Sequence, residues 1–361
     1  MAIPDWTFFR ASLLSWYSPE RRPMPWKEVG DPYRVWLSEI ILQQTRVAQG
    51  LPYYERFLAA YPTVVDLARA DDDAVMKLWE GLGYYSRARN LLRAARRVAN
   101  DLDGRFPDTY EGLRTLPGVG PYTAAAIASF AFGRQVAVLD GNVYRVLARY
   151  AGDPLPTDGS GGRAHFQEMV DAALGDAPAA AFNQAIMDFG ALICTPRNAA
   201  CRSCPLSDKC IALREGKVYE LPVKAKTVAR RTRHFHYLVV TDARGRTLLQ
   251  QRTDKDIWQN LYEFPLIETE RTEMRLDELS DLDGWPGWLP VGALSGGHRS
   301  PVYRQQLSHQ NILAVFHRIT WTADAALPSG VSWVTREKLS NYAFPRVITR
   351  YLAEKALTLD L

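Results

Sequence analysis

Leu116-Pro-Gly-Val-Gly-Pro-Tyr-Thr-Ala-Ala-Ala-Ile127 is the stretch that decides the fold of the first half of this chain. It reads as the end of one helix, a glycine hairpin, and a second helix opened by Pro121, whose fixed φ and missing N–H suit a first helical turn. Gly118 and Gly120 can take positive φ and leave backbone N–H groups open at a helix start, where orphan donors and the helix dipole favour an anion such as a phosphate. A contact of that kind carries no base information. A Gly-x-Gly turn is common by itself, so its meaning depends on its surroundings.

Around the hairpin, from Trp6 to about Leu213, apolar residues recur at helical spacing, as in Ala74-Val75-Leu78-Trp79 and Leu91-Leu92-Ala95-Val98. Beyond Phe235 the pattern changes to short β-rich runs, His236–Thr241, Thr247–Gln250 and Asn311–Trp321, divided by turns such as Asp242-Ala-Arg-Gly245. The expected organisation is a helical domain over residues 1–217, a basic interdomain linker over 218–234, and a smaller α+β domain over 235–361. The linker reading rests on Lys224, Lys226, Arg230, Arg231 and Arg233 set against Glu220 alone, with Pro222 barring helix continuation. A chain of 361 residues, 47% hydrophobic, can bury two such cores.

Lys and Arg total 44 against 40 Asp and Glu, and the resulting +4 is too small to announce nucleic-acid binding. Met1–Arg10 lacks the basic then apolar pattern of a secretory signal. The most apolar stretch, Ala124–Gly133, is about half the ~20 residues a membrane span needs. A soluble intracellular chain without membrane contact is therefore expected.

All four cysteines fall in Cys194-x6-Cys201-x2-Cys204-x5-Cys210. They stand among Pro196, Arg197, Asn198, Pro205 and Asp208 rather than on an apolar face, so the spacing reads as four thiolates in one loop, for an iron–sulfur cluster or for zinc. Arg197, Arg202, Lys209 and Arg214 decorate that loop and could present cations to phosphates.

Two carboxylates stand out. Glu39, on a helix beginning near Pro32, has Val35, Trp36, Leu42 and Gln43 three and four positions away, so it is expected to be buried and to keep a proton. Asp140 ends the apolar run Val136–Leu139 just before a helix over Val143–Tyr150; it can be an N-cap, and the helix donors would hold it ionised. One carboxyl would then serve as acid and the other as anion.

Hairpin, downstream Asp140 and cysteine loop, in this order, resemble the endonuclease III superfamily over roughly Trp6–Arg214. Within it, Met24-Pro-Trp26, Leu42-Gln-Gln-Thr45, Trp79–Arg87, Gly118–Thr123 and Leu139–Val143 are similar to the MutY-type adenine DNA glycosylases. Trp258–Pro265, Ser332–Thr335 and Leu307-Ser-His-Gln310 resemble that family's appended Nudix-like domain.

The resemblance implies a mainly α, two-lobed helix-hairpin-helix glycosylase with a [4Fe–4S] loop, followed by a Nudix-like α+β domain. It implies hydrolysis of the N-glycosidic bond of adenine opposite 8-oxoguanine or guanine in double-stranded DNA, by a monomer, cytoplasmic and nucleoid-associated if bacterial. Glu39 would protonate adenine N7, and Asp140 would steady the oxocarbenium-like sugar by charge or by transient covalent attachment. Tyr122 and Asn142 would hold these carboxylates and the sugar.

Further roles follow from the same resemblance. Arg22, Trp26, Lys27 and Gln184 would line the adenine pocket. Gln44, Thr45, Leu82, Tyr84, Ser308 and His309 would meet the lesion or wedge the duplex, and Gly118, Val119 and Gly120 would touch its backbone. Cys194, Cys201, Cys204 and Cys210 would hold the cluster. Bifunctional relatives carry a lysine where this chain has Tyr122, and a phenol forms no Schiff base, so lyase activity should be weak or absent. No Gly-x5-Glu-x7-Arg-Glu-x2-Glu-Glu run is present, so the second domain should recognise rather than hydrolyse. Lys27 replaces the family's usual arginine and Leu307 its usual aromatic. Competing readings are a pyrimidine glycosylase/lyase, a non-catalytic cluster protein that binds DNA, and a Nudix hydrolase fused to a DNA module.

The cysteine loop yields the first prediction. Purified anaerobically, the protein should carry about four irons per chain; stoichiometric zinc without iron would defeat the cluster expectation.

Overall fold

Short polar side chains set the helix starts of the first half. Asp5 accepts a bond from Phe8 N (2.9 Å) to open Trp6–Trp16, Asp31 accepts one from Tyr33 N (2.9 Å) to open Pro32–Leu42, and Thr63 with Asp66 forms a reciprocal capping box. The computed structural model describes residues 4–27, 29–225, 229–322 and 326–357; Lys226 of the basic segment lies outside them.

The chain divides into two compact units, Met1–Arg69 with Asn90–Thr227, and Ala70–Arg89 with Val228–Leu361. In the first, the helices Pro121–Phe132, Gly141–Ala151, Gly162–Leu174 and Ala179–Leu192 enclose a core that includes Leu147, Phe166, Phe182 and Ile186. The apolar stretch noted above is the alanine-rich helix Pro121–Phe132, whose small side chains are buried here. Gly141–Ala151 ends at Gly152, which needs to be glycine twice over: φ is +64°, and a Cβ would stand 2.3 Å from Ile211 Cγ2.

The second unit is built on a mixed sheet of strands β1 (Arg231–Thr241), β2 (Thr247–Gln251), β3 (Tyr262–Glu263), β4 (Leu266–Thr269), β5 (Leu294–Arg299), β6 (Tyr303–Gln306), β7 (Gln310–Trp321) and β8 (Val331–Val334). Its order is β3-β2-β1-β7-β5, with β4 on β1, β6 on β7 and β8 on β2. β1 and β7 run parallel over their length from Arg231↔Gln310 to Thr241↔Thr320, while the other pairs are antiparallel. Register puts Tyr237 beside Phe316, and Tyr351 of the last helix stacks on Phe316 at 3.9 Å.

Residues 70–89, helical in pattern like their neighbours, belong to this second unit. Polar bonds explain why: Asp73 accepts from Tyr262 Oη (2.8 Å), Glu80 accepts from Phe344 N (2.8 Å), and Lys77 donates to Tyr342 O (2.9 Å). The basic segment is likewise tied down at both ends. Val218 and Leu221 are buried in the first unit's core, and Arg233 is buried on β1 with Glu268 and Asp256, because strand alternation turns it inward rather than to solvent. Among the described residues no helix is long and apolar enough to cross a membrane.

Candidate active site

Helix Pro32–Leu42 is buried from Val35 through Ile41, and Glu39 lies within that run at 8% exposure. Burial is the main reason its carboxyl is pushed up to about 7; the Asp140 charge adds to the rise, and a hydrogen bond from the Tyr122 hydroxyl opposes it. Asp140 caps Gly141–Ala151, accepting from Val143 N (2.8 Å) and from Asn142 Nδ2 (2.9 Å). Those donors favour the anion, as the sequence leads one to expect, but burial outweighs them and the net shift of Asp140 is upward. Tyr122 is raised well above the ordinary phenol range by burial and by both carboxylates.

Glu39 and Asp140, distant in sequence, line one cavity of about 560 Å³ together with Arg22, Trp26, Gln44, Thr45, Gly120, Tyr122, Asn142 and Gln184. Gln44 stands at its edge with φ +55°, a conformation that a residue other than glycine keeps only where its surroundings enforce it.

Lys27 is not in that wall. It is buried, and its ammonium is paired with Asp188 while also donating to Arg22 O (2.9 Å). Arg22 bonds the same carboxylate at 3.0 Å. Asp188, which the sequence reading passed over, is thus the buried anion that pairs with the pocket's Arg22 and with Lys27. Its signal was a lone acid within the apolar helix Ala179–Leu192, a placement that burial permits only with a cation in reach.

Arg145 and Arg149 were also passed over. Arg145 donates to Asn142 Oδ1 (2.8 Å), Gly190 O (2.7 Å) and Cys194 O (2.7 Å). Arg149, one turn further on, donates to Cys194 Sγ (3.4 Å), Thr195 O (2.8 Å) and Pro196 O (3.2 Å). The four cysteines are free, half-buried and line one small cavity with Arg149. Among the described residues no three His, Cys, Asp or Glu side chains converge on a point where one ion could sit. Four thiols around one small void beside an arginine are the side chains present there that could hold a metal group. Lys209 of this loop is engaged by Asp5 (2.6 Å).

In the hairpin, Gly118 has φ +76°, and a Cβ there would meet Asn90 Cβ at 2.7 Å. Gly120 differs from expectation: as N-cap of Pro121–Phe132 it is extended at φ −82°, so no left-handed backbone is required of it. Val119 is buried and gives its N–H to Leu116 O (3.1 Å). Within the second unit, Leu82, Tyr84, Trp258, Leu307, Ser308 and His309 line a separate pocket of about 380 Å³. Leu82 is buried, Tyr84 is 45% exposed with φ +48°, and the Tyr84 hydroxyl bonds Ser308 Oγ.

Residues 37–159 match the HhH-GPD superfamily of base excision DNA repair proteins, and residues 236–354 match the NUDIX domain. The chain is 34% identical to the adenine DNA glycosylase of Mus musculus, over 94% of this chain and 76% of that protein. It is 35% identical to that of Homo sapiens, over 94% and 72%. A Buchnera aphidicola adenine DNA glycosylase is 36% identical over 72% of this chain and 75% of its own length. Among solved structures, a thermostable thymine-DNA glycosylase superposes with a TM-score of 0.54 at 31% identity, covering 58% of this chain and 97% of that one. A trapped endonuclease III–DNA covalent intermediate superposes with a TM-score of 0.51 at 20% identity, over 59% and 99%, a likeness of fold.

The buried triad of Arg22, Lys27 and Asp188 generates a stability prediction. Asp188→Ala would leave the Lys27 charge buried without its carboxylate, at a cost of about 3–5 kcal/mol. The midpoint of urea unfolding followed by the helical signal measures it, and a variant as stable as the parent would contradict the pairing.

Proposed function

The chain belongs to the adenine DNA glycosylases, DNA N-glycosylases of base excision repair, and from that premise we propose how it acts and which mispair it serves. The substrate is adenine opposite 8-oxoguanine or guanine in double-stranded DNA. Glu39 is the general acid, Asp140 the stabiliser of the sugar cation, and residues 235–361 the reader of the opposite base. The enzyme works as a monomer in the cytoplasm, at the nucleoid in a bacterium. The observation that carries this reading is a single pocket with two carboxyl groups in unlike surroundings.

Adenine reaches such a pocket only by leaving the duplex stack, at a cost of a few kcal/mol that is smaller for a mispaired base. Two hydrogen bonds favour the anion on Asp140, whereas only Tyr122 does so on Glu39, so the proton of the pair resides on Glu39. Proton transfer from Glu39 to adenine N7 turns a poor leaving group into a neutral one. Asp140 then faces the positive charge that grows on the sugar, held in place by Val143 N and Asn142. Tyr122 steadies the Glu39 carboxylate once the proton has left. No lysine lines the pocket among the described residues, which supports hydrolysis without Schiff-base lyase chemistry.

Cys194, Cys201, Cys204 and Cys210 would hold a [4Fe–4S] cluster, with Arg149 beside its charge. When bound, the cluster supplies four iron–sulfur bonds that tie this loop together. For the lesion, Ser308 and His309 offer hydroxyl, imidazole and backbone groups to the N7 donor and 8-oxo acceptor that guanine lacks.

Single-turnover excision on duplexes differing only in A:8-oxoG, A:G, A:C and T:G tests the substrate assignment. Glu39→Gln should keep duplex binding yet lose roughly 10²–10⁴-fold in rate; turnover within a few-fold of the parent would sink the role. Because the acid form is the active one, the rate should be high below pH 7 and fall as pH rises through about 7, and a rate that stays level well above that point would contradict it.

The reader makes a separate prediction. Replacing Ser308 and His309 together by alanine should reduce activity on A:8-oxoG far more than on A:G, by on the order of 1–3 kcal/mol in discrimination. Parallel losses on both duplexes would reduce the domain to general phosphate affinity.

A further inference from the structure

Two cavities of the helical unit meet along a shared wall. The catalytic pocket and a neighbouring cavity of about 1120 Å³ share Pro121, Tyr122, Leu139 and Arg163 in their walls. Arg163 stands in the first turn of helix Gly162–Leu174, and the backbone there is fixed by close packing: a Cβ on Gly162 would come within 2.3 Å of Pro156 O. Its side chain is exposed, and among the described residues it makes no hydrogen bond and no ion pair. Other cations of this unit differ: Arg22 and Lys27 are spent on Asp188, and Arg145 on Asn142 and three carbonyls.

The substrate brings a charge problem into this pocket. A nucleotide swung out of the duplex carries the two phosphates that flank its sugar, and that sugar must approach Asp140. Phosphate and carboxylate repel, more strongly beside low-dielectric walls than in water. Arg22 and Arg163 are the cations that line the pocket, and Asp188 already neutralises Arg22. A guanidinium offers the planar fork that matches phosphate oxygens.

We propose that Arg163 binds a backbone phosphate of the extruded adenosine and so holds its sugar against Asp140. It is a positioning residue: it offsets the repulsion between phosphate and carboxylate and takes no part in proton transfer. The proposal rests on reading this pocket as the catalytic one. It is independent of the hairpin's proposed phosphate contact, made from another element, and of the proposed lesion reader in the second unit.

Arg163→Ala, Arg163→Lys and Glu39→Gln, each in the full chain, decide it. Removing an exposed side chain without hydrogen bonds should leave folding intact. Arg163→Ala should weaken binding to A:8-oxoG and A:G duplexes alike by several-fold and reduce the slope of log K against log salt by about 0.9, the share of one phosphate. Its single-turnover rate at saturating enzyme should also fall. Arg163→Lys, which keeps the charge, should restore the slope and most of the affinity. The pH dependence of excision should stay where it is, because burial, Tyr122 and Asp140 set the titration of Glu39.

A parental salt slope and rate in Arg163→Ala would overturn the proposal. So would a displaced pH profile with the slope unchanged, since Arg163 would then act on the carboxyl groups. Glu39→Gln separates the two levels. If it retains turnover, the pocket assignment fails and this inference with it; if it is inactive while Arg163→Ala behaves as the parent, the phosphate contact alone fails.

Discussion

A carboxyl group can be taken out of water beside a second one only if its proton stays or its charge is met by donors. The pocket of the helical unit uses both solutions at once. Glu39 sits on the buried face of Pro32–Leu42, where little but the Tyr122 hydroxyl would support an anion. Asp140 sits at a helix start, where Val143 N and Asn142 supply donors. Burial raises both carboxyl groups, but donors oppose the rise at Asp140 through Val143 N and Asn142 and at Glu39 through Tyr122, so chemically similar groups stand in unlike surroundings. Arg22, Lys27 and Asp188 then satisfy one another below, so that the cations nearest the floor do not force Glu39 to ionise.

Helix Gly141–Ala151 transmits that constraint. Its N-cap is Asp140, and the next turns carry Arg145 and Arg149 on its buried side. Arg145 joins Asn142 to the carbonyl of Cys194, and Arg149 grips the residues that follow. The cysteine loop and the carboxylate are thus held by one rigid element, and neither can shift far without straining guanidinium bonds that are buried from water.

The second unit solves a similar burial problem for a different purpose. Arg252 bonds Glu263 and Asp256, and Arg233 bonds Asp256 and Glu268, a charged network packed against Phe235. Asp256 lies just before Trp258 and Asn260, which hold φ values of +62° and +68°. The network pins a strained turn beside the pocket that contains Ser308 and His309. Such rigidity suits recognition, since groups already in place lose little freedom on binding. The phosphate reading of Arg163 completes the picture from the substrate side: a polyanion approaching an acidic pocket needs one cation that the protein has left uncommitted.

What the sequence by itself determined was local. The cap at Asp140, Pro121 after the hairpin, the cysteine spacing and the change from helical to strand periodicity are each written within a few residues, because dihedral preference and nearest-neighbour hydrogen bonds decide them. Burial of Glu39 was legible too, from the apolar residues three and four positions away. Only the tertiary structure decided the rest. Whether burial or donors win at Asp140, that Lys27 turns to Asp188 instead of the pocket, that residues 70–89 pack with the sheet unit, and that Arg163 is the cation common to two cavities all depend on partners far along the chain. Desolvation and pairing are properties of the assembled surroundings, and no local pattern carries them.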